Sequence, residues 1–143
     1  MMEITLKNLA NVKYQSLKNL ALITIDRAEK RNAISLQTLE ELNQAVDFAA
    51  TDSAIGVIAI TGAGGKAFAS GSDLNEVLDR DLKKALEPII QGLADKLERL
   101  PKPTIAAIDG ICMGGGLEVA LGCDLRVGTR HSKFATPEGK LGL

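Results

Sequence analysis

Short apolar blocks rich in β-branched residues alternate along this chain with longer stretches of helical periodicity. Residues 20–26 (LALITID) form the first such block. Residues 14–16 precede it across a short turn at Lys18-Asn19, and the pair predicts two strands. Residues 26–32 (DRAEKRN) read as a charged loop. Ser35 then stands where an N-cap belongs, and Leu36, Leu39, Leu42, Val46 and Ala49 follow on one helical face. Residues 55–61 (IGVIAIT) are apolar throughout, which suits a strand buried on both faces and therefore a parallel sheet covered by helices. Glycines at 62–65 break that strand, and AFASGSD at 67–73 reads as a second irregular stretch.

A helical region is predicted from about Leu74 to Arg99. Pro88 is expected to divide it, because proline fits the first turn of a helix and not its interior. Leu93, Leu97 and Leu100 continue the apolar stripe, and PKP at 101–103 ends it. Residues 104–108 predict a third buried strand, 109–114 a loop, and 115–121 a short helix. Residues 124–127 and 134–136 are further short strands. Such strand–helix alternation argues for an α/β fold.

Length and composition narrow the functional classes. At 143 residues the expectation is one domain over 1–143. A net charge of -1 gives no electrostatic drive toward nucleic acid or acidic membranes. Aromatic residues make up 3%, too few for base-stacking platforms. No apolar run is long enough to span a membrane. The start, MMEITLKNLA, lacks the apolar core of a signal peptide, so a cytoplasmic protein is expected. Cys112 and Cys123 sit in apolar surroundings and read as buried reduced thiols. With one His and two Cys, no metal site is expected.

Three glycine- or serine-bearing constellations compete for the chemistry. Residues 62–67 (GAGGKA) fit a dinucleotide fingerprint after a strand, but AFASGSD is poor material for the helix that must follow. Ser70 or Ser72 with His131 would need an acid and a nucleophile elbow, and no G-x-S-x-G is present. The third is Met113-Gly114-Gly115-Gly116-Leu117-Glu118, with Thr136-Pro137-Glu138-Gly139 downstream. Three glycines after a buried strand let the backbone turn tightly against a ligand. The helix starting there directs free N–H groups and a positive dipole end outward, which suits a developing oxyanion. Glu118 in its first turn equally suits a helix cap, and Glu138 an ordinary loop carboxylate, so the two carboxylates alone leave both alternatives open.

At GICMGGGLEVALGCDLRV (110–127) and AFASGSDLNEV (67–77) the chain resembles the enoyl-CoA hydratase/isomerase (crotonase) family. IDRAEKRNAIS (25–35), GVIAITGAGGKAFASGSDL (56–74), KPTIAAIDG (102–110) and FATPEGKLGL (134–143) agree with it. The resemblance implies an α/β fold that is a spiral of ββα units, and the strand pair at 14–26 with its helix is consistent with one such unit. It implies chemistry on acyl-CoA thioesters, with the thioester oxyanion held by the backbone N–H groups of Ser72 and Gly115. Glu118 matches the glutamate that activates water, and Glu138 the one that exchanges a proton at the α-carbon. Coenzyme A, as part of the substrate and not a tightly bound cofactor, is implied along residues 27–31 and 69–74. The implied contacts are Arg27, Ala28, Lys30, Ala69, Ser70, Ser72, Asp73, Leu74 and Gly115, with Lys30, Arg31 and Lys66 as partners for phosphates. Asn32 matches an asparagine that holds the first loop.

Two departures stand out. Ser72 replaces a more usual alanine, which leaves its N–H intact, and Ala28 stands where the family has proline. Family members also continue well past the position of Leu143, into a glycine-rich loop and C-terminal helices that cover the acyl pocket and build trimers. The expectation is therefore a core domain truncated at its C-terminal end, and a homo-oligomer, trimer or dimer of trimers, if that part is present. The implied reaction is hydration of trans-2-enoyl-CoA. Isomerisation or dehydration of the same enolate type, and a non-catalytic acyl-CoA-binding remnant, are the alternatives.

Overall fold

A computed structural model describes residues 6, 8–77 and 80–141. The chain opens with an antiparallel hairpin, β1 (Val12–Leu17) and β2 (Leu20–Ile25), turned at Lys18 in a left-handed conformation. A single 3-10 turn, Ala28–Lys30, leads into α1 (Leu36–Thr51). Ser35 caps that helix, its Oγ accepting from the Thr38 N–H at 3.1 Å.

From there the chain repeats one move three times. β3 (Val57–Gly62) is followed by β4 (Ala67–Ala69), β5 (Thr104–Ile108) by β6 (Ile111–Met113), and β7 (Leu125–Gly128) by β8 (Lys133–Ala135). The first strand of each pair joins one sheet in the order β1-β2-β3-β5-β7, parallel from β2 onward. The second joins a smaller parallel sheet, β4-β6-β8. Helices α2 (Leu74–Val77) and α3 (Arg80–Arg99) follow the first pair, and α4 (Gly115–Gly122) follows the second. The fold is thus an α/β spiral of strand–strand–helix turns. The opening hairpin differs from these units, because both of its strands lie in the same sheet.

The core lies between the large sheet and the helices. Ile23, Ile25, Ile58 and Ile60 from the sheet meet Leu39, Leu42 and Val46 of α1, all fully buried, with Leu93 and Leu97 of α3. Phe68 of β4 is the largest side chain buried there. Among the described residues no helix is long and apolar enough to cross a membrane. Cys112 and Cys123 are both buried and free.

Three expectations from sequence are corrected. AFA at 67–69 is a strand and not irregular, and 111–113 within the expected loop is another. Runs of three residues are too short to show alternation, and the glycines and serines around them dominate the local signal. Pro88 lies inside α3 and does not divide the helical region. An interior proline costs about 3 kcal/mol. Burial of Ile90, Leu93 and Leu97 beyond it contributes about 1.5–3 kcal/mol each, which outweighs that cost.

Candidate active site

β4 and β6 are parallel neighbours with Ala69 opposite Cys112, so the loops leaving both strands emerge at the same end of the small sheet. Gly71 at φ +120 and Gly114 at φ +52 let these loops pass back to back, in conformations side-chain-bearing residues rarely adopt. A Cβ on Gly71 would lie 3.4 Å from the Met113 carbonyl oxygen and 3.9 Å from the Gly115 nitrogen. Ser72 makes a parallel bridge with Ile34. That bridge is built from the Gly71 carbonyl, which accepts from Ile34 N–H at 2.8 Å, and from the Asp73 N–H, which donates to Ile34 O at 2.9 Å. In such a bridge the N–H of the middle residue points the other way. Among the described residues, no hydrogen bond engages the N–H of Ser72 or of Gly115.

Gly115 is the first residue of α4, so its N–H has no acceptor within the helix and carries the positive end of the helix dipole. The Ser72 side chain is close by: its Oγ lies 3.3 Å from where a Cβ on Gly115 would stand. Both residues line the same cleft.

The carboxylates come from two different elements. Glu118 sits in the first turn of α4 and is exposed. Glu138 sits in the 3-10 turn Pro137–Leu141 that follows β8, and β8 is tied to the start of α4 by Gly114 N–H donating to Ala135 O at 3.0 Å. A Cβ on Gly114 would lie 2.9 Å from Glu138 Oε1, so the glycine makes room for the carboxylate. Glu138 Oε2 is buried and, among the described residues, has no hydrogen-bond partner. A buried acceptor without a partner is where a water or a substrate atom would bind.

These groups line one cleft of about 970 Å³. Of the residues singled out from sequence, Lys30, Arg31, Ser70, Ser72, Asp73, Leu74, Gly115, Glu118 and Glu138 line it. Arg27, Ala28, Lys66 and Ala69 do not. Ala69 is wholly buried, and Ala28 packs against Gly64. Asn32 is wholly buried and bonds the carbonyls of Ala63 and Ala67. Ile90, Gln91 and Ala94 of α3 form a wall that sequence analysis did not single out. Extending the Leu93–Leu97 stripe back by one turn would have found Ile90.

The competing constellations do not assemble. A strand, and not a helix, follows the glycines at 62–65. His131 is largely exposed and bonds Asp109 at 2.7 Å, and neither lines the cleft with Ser70 or Ser72. Burial pushes the Cys112 and Cys123 thiols up to about 11, which removes them as nucleophiles near neutrality. Among the described residues no group of three or more His, Cys, Asp or Glu is placed to hold a metal ion.

The sequence profile of the enoyl-CoA hydratase/isomerase family matches residues 15–143. This chain belongs to that family. YngF of Bacillus subtilis, which carries an enoyl-CoA hydratase/isomerase name, is 40% identical over 128 residues, covering 88% of this chain and 49% of the relative. The short-chain-enoyl-CoA hydratase of Clostridium acetobutylicum is 34% identical over 137 residues, 94% of this chain and 52% of its own length. An enoyl-CoA hydratase/isomerase from Xanthobacter autotrophicus Py2 superimposes with a TM-score of 0.89 at 34% identity, covering 94% of this chain and 52% of that one. The chain spans about half the length of the curated relatives it matches. Its crotonase-like fold is that of the family.

Proposed function

We propose that the cleft hydrates trans-2-enoyl-CoA thioesters. The observation that carries this is the meeting of two carboxylates, Glu118 and Glu138, with two unengaged amides, Ser72 N–H and Gly115 N–H, in one cleft. An enoyl thioester is attacked by water at its β-carbon only if the charge pushed onto the thioester oxygen is stabilised. The two amides supply that, with a role worth about 2.7–4 kcal/mol per donor. As the water oxygen bonds to the β-carbon, Glu118 accepts a proton from it. The enolate then collapses, and a proton delivered from Glu138 goes to the α-carbon. One proton is taken up and one given, so the pair is reset by exchanging a proton between them. Double-bond isomerisation needs only one such carboxylate, so the presence of both favours hydration.

Lys30 and Arg31, both in the cleft wall, would meet the phosphates of coenzyme A. The acyl chain would then run past Gly115 toward Ile90. The test is loss of the conjugated absorbance of crotonyl-CoA on mixing with the purified chain, beside the Glu118→Gln/Glu138→Gln double variant. Turnover abolished in the double variant is expected. Equal turnover in both, or none from well-folded unsubstituted chain, would refute the proposal.

A further inference from the structure

Arg27 and Asp73 were both expected among the coenzyme A contacts, and the geometry gives Arg27 another task. Its Nη1 donates to the Ala33 carbonyl at 2.6 Å and its Nη2 to Asp73 Oδ2 at 3.2 Å. The two side chains are only 14% and 13% exposed. Asp73 is engaged at its other oxygen as well, since Oδ1 accepts from Asn75 N–H at 3.1 Å. Neither side chain can turn to a ligand without breaking this arrangement.

What the pair holds is the loop that carries Ser72. Three backbone bonds stitch residues 70–73 to residues 31–34: Ser70 N–H to Arg31 O, Ile34 N–H to Gly71 O, and Asp73 N–H to Ile34 O. The Arg27–Asp73 pair closes the same seam with side chains. Glu76 extends it, its Oε2 accepting from Leu36 N–H at 2.9 Å at the start of α1. Behind the seam, Asn32 Oδ1 accepts from Arg27 N–H at 2.9 Å, which fixes the arginine's own backbone. Within this ladder the N–H of Ser72 makes none of the bonds, and Ser72 lines the cleft.

We infer that Arg27 and Asp73 are a positioning pair, which holds the 70–73 loop so that the Ser72 N–H stays in register with the Gly115 N–H. The inference rests on the hydratase reading for its effect on rate, and on geometry alone for its effect on the loop. A displacement of about 1 Å at such a donor lowers turnover by about 100-fold.

The experiment compares Arg27→Gln, Arg27→Lys and the unsubstituted chain, with Lys13→Ala as a control that breaks the exposed Lys13–Asp26 ion pair. Two properties are measured: kcat and KM for crotonyl-CoA, and amide hydrogen exchange of the peptide spanning residues 69–76. Arg27→Gln is expected to lower kcat by about 10–100-fold with KM held within about twofold, and to speed exchange in 69–76 while the α1 core keeps its protection. Arg27→Lys, with one ammonium for two acceptors, should fall between; it also carries the test if the glutamine variant does not fold. Lys13→Ala should change neither property. A raised KM with unchanged kcat would overturn the inference and return Arg27 to the ligand. Unchanged exchange in 69–76 would overturn it too. Absence of turnover in the unsubstituted chain would refute the hydratase reading and leave the exchange result to decide the positioning role.

Discussion

Two helical glycines face opposite surroundings, and the same substitution should move stability in opposite directions. Gly92, exposed on α3, has nothing within 4 Å of where a Cβ would stand. Gly116, in the first turn of α4, has the Ala69 carbonyl oxygen at 2.4 Å and the Ala69 Cβ at 2.7 Å. Alanine at either site gains about 1 kcal/mol of helix preference, largely by restricting the unfolded chain. For Gly92→Ala that gain stands alone. For Gly116→Ala, reaching an ordinary contact of about 3.4 Å requires α4 and β4 to part by about 1 Å, and overpacking of that kind costs about 1–3 kcal/mol. Both obstacles belong to β4 itself and cannot rotate away, so the upper half of that range applies and the net loss is about 1–2 kcal/mol. For a chain of this size about 1 kcal/mol corresponds to about 3–5 °C in Tm. Gly92→Ala should therefore melt about 3–5 °C higher and Gly116→Ala about 3–10 °C lower, followed by circular dichroism. Turnover adds a second readout, because the loop leaving Ala69 carries Ser72 and only Gly116→Ala should impair it. Shifts of the same sign in both variants would refute the packing account.

Further outcomes follow from buried polar groups. Cys112 and Cys123, with thiols raised from 9.0 to about 11, should react with Ellman's reagent at pH 8 only after unfolding. Rapid labelling of folded protein would contradict this. The same shift has a pH signature: the folded state holds the thiol protons more tightly, so this contribution is complete below pH 9 and lost as pH rises through about 11. Tyr14 has a buried hydroxyl with no partner among the described residues, while its ring meets Phe48 edge-on at 5.2 Å. Tyr14→Phe keeps the ring contact and removes the stranded hydroxyl, so Tm should hold or rise by the equivalent of about 1 kcal/mol. A fall of several degrees would show that the hydroxyl has a partner.

The long elements were legible because their patterns are long. Ser35 with the Leu36–Ala49 stripe, and the apolar blocks at 55–61 and 104–108, each contain enough residues for periodicity to register. The strands at 67–69 and 111–113 were missed because three residues cannot display a period and their neighbours are turn formers. Pro88 misled because local preference was weighed without the tertiary burial of the turns beyond it. At the site, GGGLE pointed to free amides before a helix from physical grounds alone. The meeting of that segment with Ser72 and Glu138 depends on parallel pairing of β4, β6 and β8, which no local pattern encodes. Arg27 shows the limit from the other side. Its place in the charged loop suggests a coenzyme A contact, and nothing local in the sequence announces its bonds to the Ala33 carbonyl and to Asp73, 46 residues away.

The amides that the proposed reaction draws from Ser72 and Gly115 belong to the main chain, and this shapes how such a site tolerates genetic drift. A codon change can delete a glutamate in one step, but among the twenty residues only proline removes a backbone N–H. The side chain at 72 is thus free to wander, as a serine there illustrates, without loss of the donor beside it. The vulnerable positions for that half of the site are displaced onto the glycines that give the loops their shape and onto the residues that clamp them. Lineages can therefore retune the surroundings of the two amides over many substitutions while the donors themselves persist.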